Sequence, residues 1–266
     1  MEIHHQHHHD HPQHKEKVWA HYALEFFMLF LAVFCGFLAE NFREHSIEST
    51  RAKELAKNFY DELKSDSANA VVRVNNRIRQ ENALKYLMKY FKDSSLTDVS
   101  KTFVVNYQYG INFRTPSTFE PKTIMLEQLK NSGSLRYFKN EQLQKLIGDL
   151  TVVIRNIADR QELETNFRMA YLNPFLVEHS DYDFWIAMTN DSKIVFDKAL
   201  SDYEQSDSVI PFHLKGMENF DRQKTINMLG FYVYNAMNST RQFHIQKYID
   251  LNTQVLSLLR KEYRLN

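Results

Sequence analysis

Imidazoles and carboxylates are the side chains with the widest chemical scope in this 266-residue chain, and they are unevenly placed. Residues 1–21 hold eight of the twelve histidines, at positions 4, 5, 7, 8, 9, 11, 14 and 21. His4, His5, His7, His8, His9 and His11 are candidate metal ligands, because imidazole binds Zn, Cu and Ni. The tract would also gain charge below about pH 6.5. Its plainer reading, preferred here, is a disordered, solvated leader over residues 1–17. A second cluster, Glu178-His179-Ser180-Asp181-Tyr182-Asp183, gathers carboxylates and an imidazole that could hold a divalent ion. It lacks the glycine-permitted turn of most cation-binding loops, so solvated loop charges are the expectation. Asp61, Glu62 and Asp66 read as a wet helix face.

The remaining signals for catalysis are weak. The six glycines are isolated at positions 36, 110, 133, 148, 216 and 230, so no phosphate-cradling loop exists. There is no His-Glu-x-x-His zinc motif and no Gly-x-Ser-x-Gly elbow. Ser132-Gly133-Ser134 reads better as a helix end and turn. Cys35, the single cysteine, lies in an apolar run where a thiolate is strongly disfavoured. The expectation is a protein that is not an enzyme and carries no cofactor. Lys+Arg and Asp+Glu balance at 33 each, which removes the usual electrostatic case for a nucleic-acid partner.

Positioning elements follow from composition and period. Gly (6) and Pro (5) are scarce, whereas strand-rich folds consume both in tight turns. Long helices are therefore expected. Phe26 to Ala39 contains no charge, and its flanks add Trp19, Tyr22, Leu24 and Phe42. A bilayer core needs roughly 20 apolar residues. A span within residues 18–42 meets that need, with Trp19 and Tyr22 suited to the headgroup level. Bulky apolar residues all round the helix oppose the alternative of a core helix in a soluble protein. At about 100° per residue, His21, Glu25, Ala32, Gly36 and Ala39 share one stripe, opposite Phe27, Phe30, Phe34 and Phe37. Small residues permit close helix approach in lipid, and an intramembrane carboxylate tends to face protein. Glu25, Ala32, Gly36 and Ala39 are thus candidate contacts to another transmembrane helix, in a homo-oligomer or a partner protein. The alternative is that Glu25 marks the water boundary.

Beyond Phe42 the pattern stays helical. Leu55, Phe59, Leu63, Ala70, Val74, Ile78, Leu84, Met88 and Phe91 recur at helical spacing, and Asp93-Ser94-Ser95 ends the run. Thr102–Tyr107 is compatible with a strand or a short helix. Another short helix is expected from Pro121 to Asn131, closed by Gly133. Asn140 looks like the N-cap of a long helix with inner face Leu143, Ile147, Leu150, Ile154, Ile157 and Tyr171, broken or kinked at Pro174. Residues 179–219 read as short helices and loops. A last helix runs from Asp221 to Tyr263, with apolar positions Leu229, Val233, Ala236, Phe243, Tyr248, Leu251, Val255 and Leu258. The expected fold is all-α: one N-terminal transmembrane helix, then an irregular bundle of long amphipathic helices over residues 43–266.

The His-rich leader and the segment ending Gly36-Phe37-Leu38-Ala39-Glu40-Asn41-Phe42-Arg43-Glu44-His45 resemble uncharacterised bacterial single-span envelope proteins. Phe119–Thr123 and Leu126–Gly133 are similar to the central motif of that family. The resemblance covers about the first 150 residues and implies anchoring in a bacterial cytoplasmic membrane, with no reaction and no transferable site. Arg43, Arg51, Lys53 and Lys57 outnumber Lys15 and Lys17, which favours a cytoplasmic C-terminal domain. The resemblance implies a periplasmic one, and that is the orientation expected. The functional expectation is an accessory subunit of an envelope complex, in contact with lipid and with protein. The alternative is a membrane-tethered sensor or ligand-binding domain.

Overall fold

A computed structural model of the protein describes residues 13–113, 117–189 and 196–265. The six candidate metal histidines, His4 to His11, lie outside the described residues. Among the described residues the secondary structure is helical throughout, with no strand. In chain order the α-helices are α1 (Gln13–Asp93), α2 (Lys101–Tyr107), α3 (Ile124–Asn131), α4 (Glu141–Phe167), α5 (Asn173–His179), α6 (Tyr182–Thr189), α7 (Phe196–Gln205), α8 (Arg222–Gly230) and α9 (Gln246–Tyr263). α1 begins at Gln13, inside the segment expected as leader.

The chain divides into two compact units, Met1–Glu54 and Leu55–Asn266, with the division inside α1 and beyond the expected boundary after residue 42. In the first unit every described side chain from Trp19 to Ile47 is exposed. One helix near the N-terminus is long and apolar enough to cross a membrane, and none of its most apolar window is buried. Past the apolar run, Glu40 accepts from Arg43 through both carboxylate oxygens, at 2.9 and 2.5 Å, one turn along the surface.

In the second unit, local sequence signals set the helix ends. Ser100, Asn140 and Asp221 each accept a hydrogen bond from the backbone N–H three residues on, at Phe103, Leu143 and Lys224. Gly133 follows α3 with φ +67°, a conformation a side chain would strain. The ambiguous Thr102–Tyr107 segment is α2, because Ser100 caps it and Phe103, Val104 and Tyr107 bury together at helical spacing.

Two apolar cores form around α1. One gathers Phe59, Leu63 and Ala70 with Leu143, Ile147, Leu150, Tyr248 and Val255 from α4 and α9. The other gathers Leu84, Leu87 and Phe91 with Phe103, Tyr107, Phe184, Phe212, Leu229 and Val233.

Several expected inner positions move. Ile78 is exposed and Arg77 is buried in its place. Positions 63, 70, 77, 84 and 91 recur every seven residues, so Arg77 sits on the core-facing line of α1. Tyr171 and Phe243 are exposed. Both lie in π-helical segments, Arg168–Leu172 and Thr240–Ile245. Each wide turn inserts a residue and rotates the next turns of helix away from the 3.6-residue phase. The same widening leads directly into α5 with Pro174 in its first turn, so the regular helix is interrupted next to Pro174 while the helical run continues to His179.

Candidate functional site

Between the two cores lies a layer of buried polar side chains. Arg77 is 1% exposed and occupies all three of its guanidinium nitrogens. Its Nη1 and Nη2 donate to the two Glu164 oxygens at 3.0 and 2.9 Å, its Nε to Ser117 O at 2.8 Å, and Nη2 also to Gln161 Oε1 at 3.3 Å. Gln161 in turn brackets Phe119, accepting from its N–H and donating to its carbonyl. One turn further along α1, Gln80 Nε2 donates to Gly110 O and Phe113 O. Glu81 accepts two bonds from Arg241, at 2.7 and 2.9 Å, and one from Asn238. Arg168 donates to Ile111 O at 2.6 Å and Asn112 O at 3.0 Å.

The described π-helical segments are Gln108–Asn112, Arg168–Leu172, Phe231–Met237 and Thr240–Ile245. Each supplies a partner or a lining group to this layer: the 110–112 carbonyls, Arg168, Tyr232 with Met237 O, and Arg241. A wide turn breaks the regular i to i−4 ladder, so its carbonyls are available to side-chain donors. Gly110 permits the approach of the first segment to α1, since a Cβ there would stand 3.2 Å from both Leu84 and Leu87 side chains.

The layer opens to one side in a cleft of about 600 Å³, lined by Ser117, Gln161, Glu164, Thr165, Arg168 and Tyr232 among others. Burial, and then the Glu164 carboxylate, push the Tyr232 phenol above its ordinary value, so its hydroxyl stays neutral. A second cleft of about 640 Å³ lies between α5 and α8, with Phe167, Tyr171, Phe175 and Phe231 on its walls and Glu178 and His179 at its edge.

Comparison with protein-family models, with curated proteins and with solved structures finds no match to this chain. The chemistry of the site therefore rests on its geometry.

Glu25, Ala32, Gly36 and Ala39 lie in α1 and are all exposed, and a Cβ added at Gly36 would meet nothing within 4 Å. On a regular helix their spacing of seven, four and three residues keeps them in one stripe. On the opposite side Phe30 and Phe34 stack at 5.9 Å.

The carboxylate face expected to be wet is not. Asp66 is buried, and its Oδ2 accepts from Lys122 N–H at 2.8 Å and the Tyr248 hydroxyl at 3.1 Å. Glu62 accepts from Met125 N–H at 3.2 Å. Both therefore satisfy backbone donors at the start of α3. Only Asp61 is fully on the surface. The Glu178–Asp183 cluster is also divided by the fold. Asp181 is buried, accepts from His213 N–H at 2.8 Å and lies 3.5 Å from Lys215 Nζ, whereas His179 turns to Lys215 O at 2.9 Å. Among the described residues no group of three or more His, Cys, Asp or Glu is placed to hold a metal ion.

Arg77, Glu164 and Arg168 were not singled out from sequence. A signal was present for Arg77: a charge on the seven-residue line of Leu63, Ala70, Leu84 and Phe91 must find a buried partner.

Proposed function

We propose that the protein is a membrane-anchored accessory subunit of a bacterial envelope complex. It acts by protein–protein contacts and carries out no turnover of its own. The observation that supports this reading is the exposure of the whole apolar surface of α1 between Trp19 and Phe42. Water does not tolerate a continuous apolar surface of this size, and lipid or another helix must cover it. Lipid suits the Phe27, Phe30, Phe34 and Phe37 side. The Glu25, Ala32, Gly36 and Ala39 stripe suits a second transmembrane helix, from another copy or another protein. The membrane is the bacterial cytoplasmic membrane and the C-terminal domain is periplasmic, as the resemblance to single-span envelope proteins implies.

The test is purification of the full chain in mild detergent from native membranes, with crosslinking and mass spectrometry. A stoichiometric partner or defined oligomer crosslinked within residues 19–42 is the expected result. A lone monomer would remove the subunit reading, and release by carbonate without detergent would remove the anchor as well.

A second reading, a membrane-tethered ligand-binding domain, is favoured by the aromatic cleft between α5 and α8. A concave apolar surface with a few converging polar groups is the usual form of a small-molecule site.

A further inference from the structure

The cleft between α5 and α8 is asymmetric in a way that selects a ligand. One wall is aromatic. Phe167 lies 5.0 Å from Phe231 at an interplanar angle of 17° and 4.8 Å from Tyr171. Tyr171 and Phe231 are 54% and 51% exposed, an unusual state for two large rings beside a packed core. The other side carries a buried polar ring. His179 is 5% exposed, with its ring against Phe175 and Phe220 at 4.7 and 5.1 Å.

The tautomer of His179 follows from its partner. Nδ1 lies 2.9 Å from Lys215 O, and a carbonyl only accepts, so Nδ1 carries the hydrogen. In the neutral ring Nε2 is then an acceptor, and it stands 3.8 Å from Glu178 Oε2. Lys215 N–H returns a bond to His179 O at 3.3 Å. Gly216, at φ +59°, lets that loop pass so close that a Cβ would stand 3.0 Å from Glu178 O. A fixed imidazole acceptor and a half-exposed carboxylate 3.8 Å from it thus line the same cleft as the aromatic rings. Asp221, also on the lining, spends one oxygen on Lys224 N–H, and the two carboxylates outnumber the one lysine, Lys224.

We propose that this cleft binds a small aromatic primary amine as its ammonium ion, the nitrogen donating to His179 Nε2 and Glu178 while the hydrocarbon lies on Phe167, Tyr171 and Phe231. The pairing uses charge-assisted hydrogen bonds at one end and ring contact, with cation–π attraction, at the other. The site rests on the ligand-binding reading of the protein and names its ligand class.

The experiment uses the full chain in mild detergent, with calorimetry and saturation-transfer NMR. The probes are phenethylammonium, hydrocinnamate and phenethyl alcohol, alike in hydrocarbon and different in charge. Glu178→Gln, at a half-exposed position, keeps the side-chain size, and Phe231→Ala trims the aromatic wall; both share the same micelle, so partition into detergent cancels. Saturable binding of phenethylammonium, weakened about tenfold by Glu178→Gln and also weakened by Phe231→Ala, is expected. Ammonium binding unchanged by Glu178→Gln overturns the placement. Equal or tighter binding of hydrocinnamate or the alcohol, still sensitive to Phe231→Ala, overturns the amine and leaves the ligand-binding reading standing. Saturable binding of none of the three overturns the amine site, and ligand binding at this cleft with it.

Discussion

Between Trp19 and Phe42, α1 carries bulky apolar side chains on its surface, and between Leu55 and Phe91 the same helix buries Asp66, Arg77, Gln80 and Glu81. The two stretches invert the ordinary rule in opposite directions. In the first, something other than water must cover the surface, and a contiguous exposed apolar patch of this size marks a contact with lipid or with another protein. In the second, the partners must be supplied: a charge leaves water only for a hydrogen-bonded counter-charge. Hydropathy along the chain registers the first, because its apolar residues follow one another without a break. It cannot register the second, because the counter-charges Glu164 and Arg241 come from helices 87 and 160 residues away.

The contrast can be broken first at Arg77. Replacing it with Met leaves Glu164 buried without its partner and should cost about 3–5 kcal/mol. Thermal unfolding in mild detergent should show a fall in Tm on the order of 10 °C. Pairing Arg77→Met with Glu164→Leu should recover most of that loss. A single mutant as stable as the parent would mean that water from the adjoining cleft replaces the lost partner of Glu164.

A smaller effect is expected where the first π-helical segment meets α1. Gly110→Ala places a methyl 3.2 Å from Leu84 and Leu87, and overpacking of this kind costs about 1–3 kcal/mol. Guanidinium unfolding measures it, and an unchanged midpoint would show that the segment can step back freely. Tyr248→Phe should cost about 1 kcal/mol, because Asp66 loses one donor and keeps Lys122 N–H.

The pH response sharpens the same point. Burial raises the Asp66 carboxyl above 3.8, ahead of the opposing pull of Lys122 N–H and the Tyr248 hydroxyl. The stability it contributes is fully present below the unfolded value and is lost as pH rises through the folded one. Asp66→Asn, whose amide oxygen can accept the same two bonds, should flatten the decline of stability above about pH 4. A slope identical to the parent's would show that Asp66 stays solvated. Least of all should Gly36→Leu alter unfolding, since nothing lies within 4 Å of the added Cβ. Its effect belongs to association: crosslinked oligomer in detergent should decrease, and an unchanged yield would assign the stripe to lipid.

Local sequence was enough for the helical class, for the one long apolar helix near the N-terminus, for the cap at Asn140 and for the start of a helix after Asp221, because each depends on residues within a turn or two of one another. It was also enough to end α1 at Asp93. Tertiary structure alone decided that Arg77 points inward and Ile78 outward, that Asp66 and Glu62 serve the start of α3, and that the Glu178–Asp183 cluster splits between two environments. It also decided the phase of the last long helical stretch, where wide turns carry Phe243 out of the core. The reason is common to all of these. The fate of a polar side chain in a helix is set by the groups that can hydrogen-bond it across the core, and a linear pattern of apolar spacing contains no record of that partner.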